Sequence, residues 1–240
     1  MPDHGPCTGL RRFSSAVSGM RVTSENGQNR MRHFVRDNGL TLVLAGMFLV
    51  SLIGMALTGH VARNQELAEQ GQAAVGLSSY LTGGLFLSAL FENWESEFLQ
   101  MAVYVVLTAM LFQRGSAGSR DPENPKRERD EVPWRDRHPI TAWFYERSLG
   151  LALVVLFAAS FLLHWRFSMV AANQEAALHG RATQSAFEYL GDSQLWFESF
   201  QNWQSEFLST AMLVVLSIFL RHRGSPESKP AGAGNDETGA

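Results

Sequence analysis

Apolar residues fall into four runs that are separated by polar segments. The runs cover residues 40–57, 98–112, 149–163 and 207–220, and none has a charge in its interior. None shows the polar stripe of a helix that is half exposed to water. The first run meets the length of about 17–25 residues that a membrane span needs, and the other three are shorter. Because all four runs share this pattern, the sequence predicts an all-α integral membrane protein with four transmembrane helices.

The cationic residues are concentrated in three of the five polar segments. Of the 20 Lys and Arg residues, all but Arg63, Arg166 and Arg181 precede the first run, separate the second from the third, or follow the fourth. Cytoplasmic loops of membrane proteins carry such an excess of Lys and Arg. We therefore expect a cytoplasmic N-terminus, central linker and C-terminus. Averaged over the chain, 45% apolar residues and a net charge of −3 would not separate this protein from a soluble one.

The second half of the chain repeats the first at an offset of 109 residues. The segment F-E-N-W-E-S-E-F-L at 91–99 returns as F-Q-N-W-Q-S-E-F-L at 200–208, and R-G-S at 114–116 returns at 223–225. Each half contains two apolar runs, an even number, so both halves enter and leave on the same side. The sequence thus predicts two parallel tandem repeats of two spans each, related by an axis along the membrane normal.

Composition shifts predict the domain organisation. The polar ends have too little apolar content to form a packed core, and the segment between the halves is rich in charge and proline. The expected order is a disordered N-terminal extension (1–30), a first two-span repeat (31–118), a cytoplasmic linker (119–139), a second two-span repeat (140–225) and a disordered C-terminal tail (226–240).

The repeated motif is expected at the outer ends of the second and fourth spans. Counting back about 20 residues, the length of one span, from Phe112 and Leu220 reaches the motif in both halves. Helical spacing places its amide, hydroxyl and carboxylate side chains on one face in each copy. These candidate residues are Asn93, Ser96 and Glu97 in the first copy and Asn202, Ser205 and Glu206 in the second.

Two main interpretations of this polar cluster remain open. In the first, the cluster joins helices through hydrogen bonds, and Trp94 and Trp203 serve as interfacial anchors. In the second, Glu97 and Glu206 bind a cation or a proton, because carboxylates kept near hydrocarbon at an energetic cost usually have a function. A surface that recognises another membrane protein is the third interpretation.

Other chemistry has little support in the sequence. The single cysteine, Cys7, excludes an internal disulfide and a cysteine-built metal site. There is no glycine-rich phosphate loop, and we expect no cofactor. The histidines His60 and His164 align with Met169 and Met55 of the other half, so no symmetric metal site is predicted. The expected partners are the lipid bilayer and a second copy of the chain or another membrane protein, not nucleic acid.

The repeated motif, R-D-N-G-L at 36–40 and F-L-R-H-R-G-S-P-E-S-K-P at 219–230 together resemble an uncharacterised bacterial family of multi-pass membrane proteins, a domain of unknown function. The resemblance covers residues 31–230 and implies location in the bacterial inner membrane, without an assigned activity. The sequence alone therefore leaves the activity unknown. We expect a structural or accessory membrane component, with a small transporter or channel as the alternative and a membrane enzyme as the third class.

Overall fold

A computed structural model describes residues 30–124 and 132–239 of the chain, which are α-helical wherever they form regular secondary structure. The prediction of an all-α fold is confirmed. Most of the predicted N-terminal extension and the middle of the predicted linker lie outside the described residues. The helices are α1 (Gly39–Glu69), α2 (Leu77–Leu81), α3 (Gly84–Met110), α4 (Pro139–Glu146), α5 (Ser148–Leu178), α6 (Ala186–Leu190) and α7 (Ser193–Phe219).

The same order of elements occurs twice along the chain. Helices α1 and α5 each have 31 residues, α2 and α6 have 5, and α3 and α7 have 27. Helices α5, α6 and α7 each begin 109 positions after α1, α2 and α3, as Ser148 does after Gly39. The offset between these helices therefore equals the offset of the repeated motif.

The turns that follow α3 and α7 also agree in detail. Gly115 and Gly224 have φ values of 83° and 84°. In the first turn the Gln113 backbone N–H donates to Ser119 Oγ at 2.8 Å, and in the second the His222 backbone N–H donates to Ser228 Oγ at 2.8 Å. Glycine suits the positive φ because it has no Cβ.

The chain forms two compact units, with the boundary between Ala73 and Ala74. The first contains α1, whose apolar side chains are exposed along its length, as at Leu40 and Val50 with 76% and 71% of their surface accessible. The second unit contains α2 to α7.

Within the second unit α3 runs antiparallel to α5. The Phe91 ring stacks on Phe167 with centroids 5.8 Å apart. Nearer the start of α3, a Cβ added to Gly84 would lie 2.6 Å from the backbone nitrogen of Ala171. The backbones of the two helices approach closely there, as small residues allow at helix interfaces in membranes. This packing places α3 and α5, which belong to different halves of the chain, in one compact unit.

Helix α7 runs parallel to α3 and antiparallel to α5. Gln100 Nε2 donates to Thr210 Oγ1 at 2.5 Å, and Ser116 Oγ lies 3.1 Å from Ser217 Oγ. Aromatic side chains line the boundary between α5 and α7. This row consists of Phe157, Phe161, Trp196, Phe200 and Trp203.

Polar side chains are buried inside this unit while large apolar side chains are exposed. Ser160, His164 and Ser168 form a buried line along α5 at intervals of four residues, and Ser88 and Glu95 are buried on α3. Exposed residues include many Leu, Val and Phe side chains of α3, α5 and α7. Soluble proteins usually bury apolar side chains and expose polar ones, so a polar interior beneath a large apolar surface is an unusual arrangement.

Two helices of the described ranges are long and apolar enough to cross a membrane, α1 and α5. Helices α3 and α7 contain the repeated motif with its charged residues. The structure starts α3 at Gly84, ahead of Asn93 where span counting placed its outer end. The motif of the first half therefore lies within a longer helix.

Short helix α6 and the start of α7 are fixed by caps. Ser185 and Glu188 form a capping box at α6, which supplies partners for otherwise unpaired N–H groups. Asp192 accepts from the backbone N–H of Gln194 at 2.9 Å, and this bond together with that from the Gln184 side chain lowers the pKa of Asp192. Trp165 Nε1 on α5 donates to the Ala186 carbonyl at 3.0 Å, which holds α6 against α5.

The C-terminal residues, predicted to be disordered, follow a defined course from 226 to 239. The buried Lys229 Nζ donates to the carbonyl oxygens of Gly234 and Glu237, each at 2.9 Å. The backbone N–H of Gly239 donates to the Ser116 carbonyl at 3.0 Å. Hydrogen bonds to backbone carbonyls, and not apolar packing, therefore define this segment.

Candidate functional site

Four ionisable side chains from three helices meet in the interior of the second unit. Glu92 and Glu95 come from α3, His164 from α5 and Glu198 from α7. We call these four residues the α3–α5–α7 centre. The side chains of His164 and Glu95 are fully buried, whereas that of Glu198 is 22% exposed. The centre therefore reaches solvent or the protein surface through Glu198.

The imidazole of His164 lies between two carboxylates. Its Nδ1 is 2.7 Å from Glu95 Oε2, and its Nε2 is 3.2 Å from Glu198 Oε2. His164 occurs on the buried line of α5, which fixes its depth and direction. Both ring nitrogens thus face oxygen atoms that act as acceptors when ionised.

Glu95 orients the histidine. Its other oxygen, Oε1, accepts from Trp203 Nε1 at 2.8 Å, and indole nitrogen is only a donor. With both oxygens engaged as acceptors, Glu95 receives the Nδ1–H of His164. This arrangement leaves Nε2 to carry either a second proton or a lone pair directed at a cation.

Polar neighbours also hold Glu198 and Glu92. Glu198 accepts from Ser168 Oγ at 2.9 Å and from Gln194 Nε2 at 2.8 Å. Asn202 donates from Nδ2 to Glu92 Oε1, and to the Glu198 carbonyl at 3.2 Å. These hydrogen bonds fix the orientation of both carboxylates, as residues that bond to metal ligands commonly do at metal sites.

A hydrogen-bonded chain leads from the centre to α6. Ser168 Oγ is 2.7 Å from the hydroxyl of Tyr189, whose side chain is buried. Because burial removes water from the phenol, it raises the pKa of Tyr189. Neutral Tyr189 and Ser168 therefore extend the polar network from Glu198 toward the short helix.

Glu92, His164 and Glu198 have the arrangement of metal ligands. One ligand atom from each lies within 4.8 Å of the other two. Ligands that bind a metal at about 2.1 Å and at right angles lie about 3.0 Å apart. The 3.2 Å between His164 Nε2 and Glu198 Oε2 matches two neighbouring positions in such a shell.

The electrostatics of the centre favour a cation. Three carboxylates surround a single imidazole, and Glu95 and His164 are shielded from water. Removing ions from water is costly unless opposite charge or hydrogen bonds compensate. Even with a doubly protonated imidazole, three ionised carboxylates leave an excess of negative charge, which a bound cation or additional protons would balance.

The structure brings two of the sequence-predicted residues to this centre, Asn202 and Trp203. The other amide and hydroxyl candidates bond to carbonyls of their own helices. Asn93 Nδ2 donates to Ala89 at 2.7 Å, Ser96 Oγ to Asn93 at 2.9 Å and Ser205 Oγ to Asn202 at 2.8 Å. Of these three, Ser96 is buried and the others are exposed.

The carboxylates selected from the repeat lie outside the centre. Glu97 is exposed and Glu206 is half-buried, within electrostatic reach of each other. Trp94 packs edge-on against Phe91, with ring centroids 5.5 Å apart. The cation or proton site expected at Glu97 and Glu206 stays a prediction.

Sequence reasoning missed the four residues of the centre because it searched for features that both halves share. At the positions of Glu92 and Glu95 the second motif has Gln201 and Gln204, and His164 aligns with Met55. The usable signal was the opposite one: ionisable residues at positions where the two halves differ.

A comparison with protein families finds a match, described as a domain of unknown function (DUF6766), over residues 31–240. The chain belongs to this family. Membership in DUF6766 confirms the resemblance to an uncharacterised family that was inferred from the motifs. Comparisons with curated proteins and with solved structures find no match. The family description names no activity. A function for this DUF6766 protein therefore has to be argued from the α3–α5–α7 centre.

Proposed function

We propose that this DUF6766 protein is a four-span protein of the bacterial inner membrane that binds a divalent transition-metal cation between its helices. The observation that carries the proposal is the convergence of Glu92, His164 and Glu198 on one point, with Glu95 behind the imidazole. Membrane insertion and cation binding are supported by separate features.

The distribution of side chains supports insertion of α3 and α7 beside α5. Helices of 27 residues are about 40 Å long, enough to cross about 30 Å of hydrocarbon. Helices α3 and α7 run antiparallel to α5, as alternating spans must. Their exposed apolar surfaces suit lipid, and the buried polar line of α5 suits a bundle interior.

The equal lengths and constant offset of the helices support two tandem two-span repeats. Both turns after α3 and α7 then lie on one side. With the positive-inside distribution of Lys and Arg, that side and both termini are cytoplasmic. The α3–α5–α7 centre then lies in the outer half of the bilayer, since His164 is about 24 Å along α5 from Ser148.

The ligand set selects a class of metal. An imidazole nitrogen suits zinc, iron, nickel or copper, and carboxylates suit harder cations such as manganese. One nitrogen and two carboxylates with further positions open therefore favour Zn²⁺, Fe²⁺ or Mn²⁺ over Ca²⁺ or Mg²⁺, which prefer oxygen alone. Glu95 supplies the carboxylate that commonly fixes a metal-bound histidine.

A proton is the second candidate for this centre. The observation that favours it is the position of both His164 nitrogens against carboxylates, which suits a doubly protonated imidazole. Transport of a cation or proton, expected from the sequence as an alternative to a structural role, would use the same buried site. The bonds of Asn202 and Trp203 to α3 also join helices, so the structural role and ion binding are compatible.

The topology has a direct test in fusion proteins. We expect green fluorescent protein fused after Ala240 to fluoresce and alkaline phosphatase at that position to be inactive, because the C-terminus is cytoplasmic. Phosphatase inserted after Gln72, between α1 and α2, should be active. Inactivity there together with activity at the C-terminus would reverse the proposed orientation, and release of the chain into the soluble fraction would reject membrane insertion.

A further inference from the structure

A separate cavity of about 520 Å³ lies between α3 and α7, toward the ends of both helices. Its walls are formed largely by apolar side chains such as Val103, Leu107 and Val214. Volumes of about 300–1,000 Å³ are typical of sites for small ligands. None of the residues of the α3–α5–α7 centre lines it, so the cavity is a distinct feature.

Hydrogen bonds hold α3 and α7 together at both ends of the cavity. At one end Gln100 donates to Thr210, and both residues line it. At the other end the turn after α3 is tied to α7 where the Ala117 backbone N–H donates to Ser217 Oγ at 3.3 Å. The helices are therefore fixed near their contacts, and the space between them persists without a side chain to fill it.

The turn after α3 forms the floor of the cavity. Gly118 and Ser119 line it, and a Cβ added to Gly118 would lie 2.3 Å from the hydroxyl of Tyr104, also a lining residue. Only glycine permits this approach. The cavity consequently ends at a defined cytoplasmic boundary in the proposed orientation.

The side of the cavity is open. Among its lining residues Leu111 has 59% of its surface accessible and Val215 has 48%. If α3 and α7 span the membrane, as proposed above, this opening faces lipid. From the lining residue Gln100 to its end at Met110, α3 rises about 15 Å. That length is close to one leaflet, about half of the 30 Å hydrocarbon core.

We propose that this cavity binds one acyl chain of an anionic phospholipid from the inner leaflet. The apolar walls receive the chain, and its length matches the leaflet. Arg120 lies at the end proposed for the head group: its guanidinium donates to the Ala109 carbonyl and is 5.1 Å from the ring of Phe112, a lining residue. A cationic side chain at the cytoplasmic surface attracts the phosphate of such a lipid.

Native mass spectrometry of the full chain, extracted in mild detergent, tests this site. We expect the wild type to retain one phospholipid and the cavity-filling variants Val103→Trp and Val214→Trp, one in each wall, to lose that adduct. Val155→Trp makes the same change on the exposed surface of α5 and should retain the lipid. Circular dichroism and size-exclusion chromatography establish that each variant is folded.

Each outcome decides the proposal. Equal retention of phospholipid by the wild type and by folded cavity-filling variants would overturn it, as would a wild type that carries no lipid. An adduct with the mass of a free fatty acid or of detergent would overturn the phospholipid assignment. The inference rests on α3 and α7 being membrane spans, which phosphatase inserted after Glu123, between α3 and α5, tests separately. It is inactive if α3 also crosses the membrane and active if only α1 and α5 do, so inactivity there without a specific lipid rejects the lipid site alone.

Discussion

Replacing His164 by alanine is expected to weaken Zn²⁺ binding by more than about 100-fold, whereas His60→Ala leaves it unchanged. The loss of a second-shell partner alone typically costs about 10–100-fold in metal affinity, and His164 provides the nitrogen ligand itself. His60 is a matched control because it is a histidine of α1, in the other compact unit, where its Nε2 lies 3.0 Å from Asn64 Nδ2. Isothermal titration of the full chain in detergent with Zn²⁺ measures both affinities.

Because His164→Ala leaves the buried Glu95 and the half-buried Glu198 beside a gap, a conservative ligand variant accompanies it. Glu92→Gln keeps the shape of the side chain and removes its charge, and it should also lower the affinity for Zn²⁺. Glu206→Gln makes the same change at a half-buried position outside the centre. Equal affinities in the Glu92→Gln and Glu206→Gln proteins would contradict the ligand assignment.

Glu95→Ala is expected to lower the free energy of unfolding by about 3–5 kcal/mol, the usual cost of removing one partner from a buried ion pair. The change removes the acceptor of both His164 Nδ1 and Trp203 Nε1. Glu97→Ala removes a carboxylate two residues away in the same motif. Since Glu97 is exposed, its loss should cost less than about 0.5 kcal/mol.

Reversible denaturation in mixed micelles, followed by circular dichroism, measures this difference. Glu95→Gln refines it, because glutamine keeps the volume but can accept at only one atom. We expect this variant to remain folded and to bind Zn²⁺ about 10–100-fold more weakly, as when a carboxylate behind a ligating histidine is lost. Similar free energies of unfolding for Glu95→Ala and Glu97→Ala would contradict a stabilising role for the bonds of Glu95 to His164 and Trp203.

The helical architecture could be predicted from the sequence because it depends on apolar runs. The run at 40–57 lies within α1, and the run at 149–163 lies within α5. Counting back one span length from Phe112 reached Asn93, and α3 continues past it to Gly84 through the apolar residues before the motif. A count based on bilayer thickness gives the length of a span and does not give the length of the helix.

The candidate site could be predicted only in part. The motif contains Asn202 and Trp203, which bond to Glu92 and Glu95, whereas Glu97 and Glu206, which both halves share, lie outside the centre. The centre depends on which face of α3 meets α5, and that face carries Glu95 together with Ser88 and Ala102. Helical spacing alone defines several faces and does not say which one is buried.

The C-terminal segment illustrates a second limit. Its low apolar content predicts disorder, since such segments bury too little surface to offset the loss of conformational entropy. In the structure Lys229 and Arg221 instead donate to carbonyls of the following residues. Hydrogen bonds from side chains to nearby loop carbonyls leave no periodic pattern in the sequence.

X-ray absorption at the zinc edge of the Zn²⁺-loaded wild-type protein tests the central claim most directly. The account predicts one imidazole nitrogen and at least two oxygen ligands at about 2.0–2.2 Å, with the imidazole contribution absent in His164→Ala and present in His60→Ala. A shell of oxygen atoms alone in the wild type, or an imidazole contribution that persists in His164→Ala, would contradict a metal site built on Glu92, His164 and Glu198.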